Sequence, residues 1–186
     1  IIKSSMLAKL EMCDAIESGV KLDPSRPSRK VVGIDIDIRA HNRAAIEDHP
    51  MMSRIEMIEG SSIASDIIAQ VKEIASSYTR VLVCLDSNHT HDHVLAELKA
   101  YAPLVSENSY CVVFDTIIED MPEGVSADRL LAPGNNPKTA VREYLGFIKC
   151  NKIIASDGSV LEFEVNALIE NKMLISVAPD GYLRRI

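Results

Sequence analysis

The chain has 186 residues, of which 47% are hydrophobic and 25% charged, and its formal net charge at pH 7 is -7. This composition is typical of a globular protein and excludes disordered, collagen-like and low-complexity classes. The acidic balance argues against nucleic acid as a partner, because binding nucleic acid requires a basic surface. No apolar run reaches the roughly 18 residues that span a bilayer, so no membrane partner is predicted.

The four cysteines lie far apart and form no CxxC motif; they are Cys13, Cys84, Cys111 and Cys150. Cys84 and Cys111 fall within apolar, strand-like runs, and we interpret them as reduced core residues of a cytoplasmic protein. Residues 1–186 contain no internal repeat and no interdomain linker. They are therefore predicted to form a single domain.

The first predicted element is a helix over residues 1–18, where apolar residues recur at helical spacing. The chain begins with Ile1 rather than Met, and no capping residue precedes this helix. We therefore expect that an upstream segment belongs to the protein. A polar loop containing Pro24 and Pro27 follows over residues 21–29.

Strands and helices alternate along the rest of the chain. The predicted strands are residues 30–36, 54–58, 80–85 and 110–114, with further strand-like segments at 161–165 and 173–177 before a turn at 179–181. The predicted helices are residues 39–48, 62–76, 92–104 and 136–148. The strands are continuous apolar runs, which is typical of a parallel sheet buried on both faces. The pattern predicts an α/β fold with a mostly parallel sheet and helices on both faces.

Three predicted strands end in acidic residues: Asp35 with Asp37, Asp86, and Asp115. In parallel α/β sheets, ligands bind beyond the carboxyl ends of the strands. An acid there can accept hydrogen bonds from ribose hydroxyls, and acids on neighbouring strands can hold a hard divalent cation. Each acid could instead cap the helix or turn that follows it. The three acids together favour a ligand site.

Three histidines fall in the segment D-S-N-H-T-H-D-H, which starts at Asp86. The segment resembles the zinc motif of metallo-β-lactamase-like hydrolases, but it is one residue short and no later histidine follows it. A zinc hydrolase is therefore the least favoured reading. His91 and His93 can be explained as residues that start a helix. His89 lies in the loop three residues after Asp86, and it is the candidate general base.

Six segments are similar to the cephalosporin hydroxylase family, whose members have the class I S-adenosylmethionine-dependent methyltransferase fold and are related to rhamnosyl O-methyltransferases and catechol O-methyltransferase. These segments are VVGIDIDIR (31–39), IEGSS (58–62), VCLDSNHTHDHV (83–94), VVFDT (112–116), PGNNPKTAV (133–141) and PDGYLRR (179–185). The resemblance covers nearly the whole chain. It implies a Rossmann-like sheet whose first strand and glycine-rich cofactor loop would precede residue 1.

The resemblance also implies roles for individual residues. The cofactor-binding positions would be Asp35 at the ribose, Ser61 and Ser62 on the adenine side, and Asp86. Asp86 and Asp115 would bind Mg²⁺ or a similar cation, and His89 would be the catalytic base. Phe114 is a departure, because many relatives have glutamate at this position. An apolar ring there removes one implied metal ligand, although Mg²⁺ can be held by one or two carboxylates and water.

The sequence therefore predicts S-adenosylmethionine-dependent O-methylation of a small hydroxylated molecule, such as a sugar or an antibiotic-like metabolite. Its partner would be that hydroxyl acceptor, and we also expect a homo-oligomer. The main alternative is a non-catalytic or accessory cofactor-binding module of the same family, which Phe114 would favour.

Overall fold

A computed structural model of the chain describes residues 2–23, 25–122 and 131–186. Ile1, where the first predicted helix begins, and Pro24 of the predicted loop lie outside the described residues. None of the described helices is both long enough and apolar enough to span a bilayer.

The described residues form α-helices and β-strands in alternation, as predicted. The helices are α1 (Ile2–Ser18), α2 (Ala40–Glu47), α3 (Ser65–Ser76), α4 (His91–Tyr101), α5 (Pro137–Cys150) and α6 (Ala167–Glu170). The strands are β1 (Val31–Asp35), β2 (Ile55–Glu59), β3 (Val83–Leu85), β4 (Tyr110–Val113), β5 (Phe163–Val165) and β6 (Tyr182–Arg185). Short 3-10 turns cover Met52–Arg54, Ala102–Leu104 and Thr116–Asp120.

The chain divides into two compact units, and the first is Ile1–Ile67. Its strands β1 and β2 are parallel, with Asp35 opposite Glu59. A buried ion pair between Arg54 and Glu11 joins α1 to the turn before β2, and Ser28 also donates to the Glu11 carboxylate. Burial by itself raises the pKa of Glu11, but the hydrogen bonds from Ser28 and Arg54 hold it below its ordinary value.

The second unit is Ile68–Ile186, and its sheet has the strand order β3-β4-β6-β5. Strands β3 and β4 are parallel, whereas β6 runs antiparallel to both β4 and β5. Its core is mainly aliphatic, with the aromatic rings of Tyr101, Tyr144 and Phe163 also buried; fully buried aliphatic members include Leu98, Val105, Val113, Leu161 and Leu183. The predicted α/β class is confirmed, and the antiparallel strands at one side make the second sheet mixed. The prediction of a single domain stays a prediction.

The predicted strand-like segment at residues 173–177 is wrong. Leu174 and Ile175 are 99% and 85% exposed, and no ladder includes them. The strand lies later, at β6, where Leu183 and Arg185 face the interior. Pairing with β4 and β5 on both sides fixes β6, so its position depends on contacts distant in the sequence.

Smaller differences have local causes. Helix α3 begins at Ser65, three residues later than predicted, because the Ala64 amide bonds the Ser61 carbonyl in a turn. The four cysteines are free. Of the two that were predicted to be core residues, Cys111 is buried, whereas Cys84 is only half-buried. Burial raises the pKa of the Cys111 thiol, and it is therefore a core residue rather than a reactive group.

Gly181 brings the turn before β6 against the carboxyl end of β4. The Val113 amide donates to the Gly181 carbonyl at 2.9 Å. A Cβ atom on Gly181 would lie 2.2 Å from the Val113 carbonyl oxygen, so a side chain would push these two segments apart. The turn and the residues that follow β4 are thus held as one packed structure.

Candidate functional site

Asp35 lies at the carboxyl edge of the β1–β2 pair in the first unit. It is the last residue of β1 and its side chain is exposed, with one carboxylate oxygen accepting the Asp37 amide at 3.1 Å. The Asp35 carbonyl accepts the Gly60 amide at 2.8 Å, which places the start of the following loop at the same edge. Ser61 and Ser62 are half-buried in this loop. The structure therefore groups three of the predicted cofactor residues at one strand edge.

A second group lies at the carboxyl ends of β3 and β4. Asp86 directly follows β3, and the Phe114 amide donates to the Leu85 carbonyl at 3.0 Å, which aligns the two strand ends. Asp86, His89 and Asp115 each offer a ligand atom, and these atoms lie within 4.8 Å of one another. Among the residues that the structure describes, this is the one group of three or more His, Cys, Asp or Glu side chains placed in this way.

The His89 ring lies between the two carboxylates. Its Nδ1 is 3.0 Å from Asp115 Oδ2, and its Nε2 is 3.5 Å from Asp86 Oδ1. The Asp115 contact is the closer one, so we assign the ring proton of neutral His89 to Nδ1. Nε2 is buried and has no hydrogen-bond partner among the described residues. Its lone pair then faces an Asp86 oxygen, an arrangement that a hydroxyl proton or a cation would stabilise.

Asp115 has a left-handed backbone, with φ of 55° and ψ of 24°. Aspartate tolerates this conformation better than most residues, but the conformation remains uncommon outside glycine. It occurs where the chain leaves β4 and enters the 3-10 turn Thr116–Asp120. An uncommon backbone conformation at a cluster of polar groups is a feature of functional sites.

The three histidines of the 86–93 segment do not converge. The first residue of α4, His91, contacts Thr139 at 2.8 Å and Glu143 at 3.1 Å through its two ring nitrogens. His93 Nε2 is 3.5 Å from the Glu97 carboxylate. Because only His89 belongs to the cluster with the two aspartates, the geometry gives no support to the zinc hydrolase reading.

His89 is also not the cap of the following helix. The residue in the cap position of α4 is Thr90, and its amide and hydroxyl both bond the Asn88 side chain. A further contact to the start of α4 comes from Asn135, whose side chain accepts the His91 amide at 3.0 Å. His89 is left to face the aspartates.

Two further side chains stabilise helices α4 and α5 next to this loop, and the sequence signals only one of them. The Ser87 hydroxyl donates at 2.7 Å to Glu97, which is 2% exposed and lies on α4. Asn136 caps α5 and forms a capping box with Thr139. The segment P-G-N-N-P-K signalled the second of these contacts, but a glutamate inside an amphipathic helix gives no signal of its partner. Glu97 also lies near Tyr101. Burial of the Tyr101 hydroxyl, together with the negative charge of Glu97, raises the pKa of Tyr101 to about 12.

The donor set suits a hard divalent cation. Two carboxylates with one imidazole nearby resemble the mixed sites in which Mg²⁺ or Mn²⁺ keeps several waters. The side chains of Asp86 and Asp115 are 60% and 36% exposed, so water can complete a coordination shell. Phe114 supplies no ligand, which leaves the two aspartates as the carboxylates of the cluster.

Comparisons with known proteins identify the relatives of the chain. The sequence model of the rhamnosyl O-methyltransferase/CmcI family matches residues 1–186. Rhamnosyl O-methyltransferase of Mycobacterium tuberculosis is 31% identical over 129 residues, which are 69% of this chain and 46% of the relative. Its counterpart in Mycobacterium leprae is 32% identical over 94 residues, covering 50% of this chain and 39% of the relative. The chain thus spans about half the length of the curated relatives it matches.

Among solved structures, the chain is similar to MycE methyltransferase from the mycinamycin biosynthetic pathway. One structure of MycE, in complex with Mg and SAH, has 19% sequence identity and a TM-score of 0.44, and the match covers 72% of this chain and 32% of MycE. Another, with Mg, SAH and mycinamycin VI, has 22% identity and a TM-score of 0.43, covering 66% and 31%.

The family model extends over every residue of the chain, and the relatives with curated names agree with it. The resemblance predicted from the six sequence segments is thereby confirmed. The chain belongs to the rhamnosyl O-methyltransferase/CmcI family, which is the cephalosporin hydroxylase family of the sequence analysis.

Proposed function

We propose that the protein is an S-adenosylmethionine-dependent O-methyltransferase that uses His89 as its general base. The observation that carries the proposal is the placement of His89 between Asp86 and Asp115, at the ends of two parallel strands, in a chain of this family. Asp35, Ser61 and Ser62 would bind the adenosine part of the cofactor, and Asp86 would contribute to cofactor and cation binding. A carboxylate at a strand end can accept hydrogen bonds from both ribose hydroxyls.

The residues of the cluster can perform the proton transfer that O-methylation requires. An alcohol is a weak nucleophile until it is deprotonated, and Nε2 of His89 presents a lone pair that can accept the proton. Asp115, at 3.0 Å from Nδ1, would orient the ring and stabilise the imidazolium that forms. Bound S-adenosylmethionine would supply the methyl group, whose bond to sulfur breaks as the bond to the acceptor oxygen forms.

A divalent cation would be held by Asp86 and Asp115. When bound, it would lower the pKa of an acceptor hydroxyl and help to orient it. The two aspartates provide the negative charge and leave positions for water or for the acceptor oxygens.

The acceptor we propose is a hydroxyl of a small sugar-containing molecule. The named relatives are rhamnosyl O-methyltransferases, and this name supports the proposal. A direct test is methyl transfer from labelled S-adenosylmethionine to a simple aryl rhamnoside, with and without Mg²⁺. Transfer that needs both the cation and His89 would support the proposal.

A non-catalytic cofactor-binding module is the second candidate. Phe114 is the observation that favours it, because an apolar ring lies where the family resemblance implies a carboxylate. Such a module would bind S-adenosylhomocysteine but would transfer no methyl group in the presence of any cation. The two candidates therefore differ in turnover and agree in cofactor affinity.

Replacing Asp35 with alanine is expected to weaken S-adenosylhomocysteine binding by about 1.5–3 kcal/mol, the range for hydrogen bonds to a charged group. Isothermal titration calorimetry measures the change. Asp37→Ala is the matched control, since Asp37 is an exposed neighbouring acid that contacts Asp35 through its backbone amide, which alanine retains. Equal affinities of wild type and Asp35→Ala would remove Asp35 from the cofactor site.

Replacing either Asp86 or Asp115 with asparagine is expected to weaken Mn²⁺ binding at least tenfold, because each substitution removes a charged ligand. Electron paramagnetic resonance of free Mn²⁺ measures the affinity. Asp92→Asn is the control, since Asp92 is an exposed acid on the first turn of α4 outside the cluster. Unchanged affinity in both cluster variants would place the cation elsewhere.

A further inference from the structure

The 3-10 turn Thr116–Asp120, which follows Asp115, is bound to two distant segments of the chain. The Thr116 hydroxyl donates to the Pro179 carbonyl at 2.7 Å, and Thr116 is fully buried. Glu119 accepts the Gly134 amide at 2.8 Å and also accepts the side-chain amide of Asn136. These hydrogen bonds hold the pKa of Glu119 below its ordinary value. The turn is therefore fixed by polar contacts at both of its ends.

Lys138 forms the link that joins all three segments. Its ammonium group is 2.7 Å from Asp120, at the end of the turn, and 2.9 Å from Asp180, which precedes β6. The Lys138 side chain is only 7% exposed, whereas the two carboxylates are 45% and 53% exposed. Burial alone lowers the pKa of Lys138, but the bonds to Asp120 and Asp180 outweigh it and raise the pKa.

We propose that Lys138 is a positioning residue for the candidate cation site. By joining Asp120 to Asp180, it holds the Thr116–Asp120 turn and keeps Asp115 in its left-handed conformation beside His89 and Asp86. Lys138 lies on α5 and is not a member of the cluster. This inference rests on the proposed function, because it assigns a role toward the same cation.

The sign of the effect separates positioning from simple electrostatics. Loss of a positive charge strengthens cation binding if Lys138 acts only through Coulomb repulsion. Loss of positioning weakens binding, because Asp115 is then no longer held in place. Loss of groups that orient metal ligands directly typically costs 10–100-fold in metal affinity, and Lys138 would act one step further out, through the Thr116–Asp120 turn. We therefore expect Lys138→Met to weaken Mn²⁺ binding about tenfold or more, in the direction opposite to the charge effect.

The experiment compares Lys138→Met with Lys149→Met, the same change at an exposed lysine in the last turn of α5. Mn²⁺ affinity is measured by paramagnetic resonance, and amide hydrogen exchange of residues 115–120 is measured in cation-free buffer. We expect weaker Mn²⁺ binding and faster exchange for Lys138→Met, and wild-type behaviour for Lys149→Met. Exchange that accelerates while Mn²⁺ affinity stays unchanged would reduce Lys138 to a structural residue and overturn the inference.

Asp180→Asn is the second variant, to be used if Lys138→Met does not fold. The Asp180 carboxylate is half-exposed, so this substitution buries no charge. For this variant the exchange rate is the readout, because the lost negative charge would by itself lower cation affinity. Unchanged exchange of residues 115–120 would contradict the inference. Absence of saturable Mn²⁺ binding in the wild-type protein would instead overturn the cation site of the proposed function, so the two failures are distinguishable.

Discussion

Replacement of His89 by alanine is expected to lower methyl-transfer turnover by about 10²–10⁴, the usual contribution of general acid–base catalysis. The reason is that Nε2 of His89 can take the proton of the acceptor hydroxyl. This nitrogen has no hydrogen-bond partner among the described residues, and the other ring nitrogen contacts Asp115. Affinity for S-adenosylhomocysteine should remain unchanged, because the base acts on the acceptor hydroxyl. Single-turnover transfer to an aryl rhamnoside and calorimetric titration measure the two quantities.

The same variant separates a base from a metal ligand. If His89 is the base, His89→Ala retains Mn²⁺ affinity while its turnover falls. If His89 is a cation ligand, Mn²⁺ affinity falls together with turnover. The first outcome supports our assignment and the second contradicts it.

His91→Ala and His93→Ala are internal controls from the same segment. Their rings contact residues of α5 and α4 rather than the two aspartates, so both variants should retain turnover at temperatures where they are folded. Equal loss of activity in all three variants, together with loss of a bound zinc ion, would restore the hydrolase reading.

The strands and helices that local pattern determines were predictable. The runs at β3 and β4 are apolar and bounded by polar residues, and Asn136 with Pro137 marks the start of α5 by known capping chemistry. Because parallel neighbours end at the same sheet edge, the proximity of Asp86 and Asp115 followed from the strand assignment.

The features that depend on distant contacts were not predictable. Nothing in the sequence around Lys138 identifies Asp120 and Asp180 as its partners, because those residues lie on separate segments. The contact between the His89 ring and Asp115 likewise joins two loops that are distant in the sequence. Strand β6 was missed because apolar character is greater in residues 173–177, whereas tertiary pairing selects the segment that ends in two arginines.

Arg185, the second of these arginines, is expected to be essential for stability. It is 1% exposed, and its guanidinium donates to the Val105 carbonyl, to the Ser159 hydroxyl and, at 2.8 Å, to Asp157. Arg185→Met retains an apolar chain of similar length but leaves the Val105 carbonyl without this donor. We expect the free energy of unfolding to fall by about 3 kcal/mol, which is the lower end of the range for breaking a buried ion pair. The lower end applies because Asp157 is 46% exposed, so water can hydrate its carboxylate.

Arg184→Met is the matched control on the neighbouring position of β6. Arg184 is 38% exposed and pairs with the exposed Glu164 at 3.3 Å, a contact worth at most about 0.5–1 kcal/mol. Urea unfolding followed by circular dichroism measures both variants. Equal stability of Arg185→Met and Arg184→Met would show that the buried guanidinium is replaceable by an apolar side chain.

The difference between wild type and Arg185→Met should also depend on pH. The hydrogen bond from Arg185, with those from Ser159, holds the pKa of Asp157 well below its ordinary value of 3.8. A carboxyl group with a lowered pKa in the folded state stabilises the fold above its unfolded pKa and loses that contribution as the pH falls. The stability gap should therefore be complete at pH 7 and should narrow below about pH 4, as Asp157 becomes protonated in the unfolded chain. A gap that stays constant down to pH 2 would place the contribution of Arg185 in packing and in its bond to Val105, with no share from Asp157.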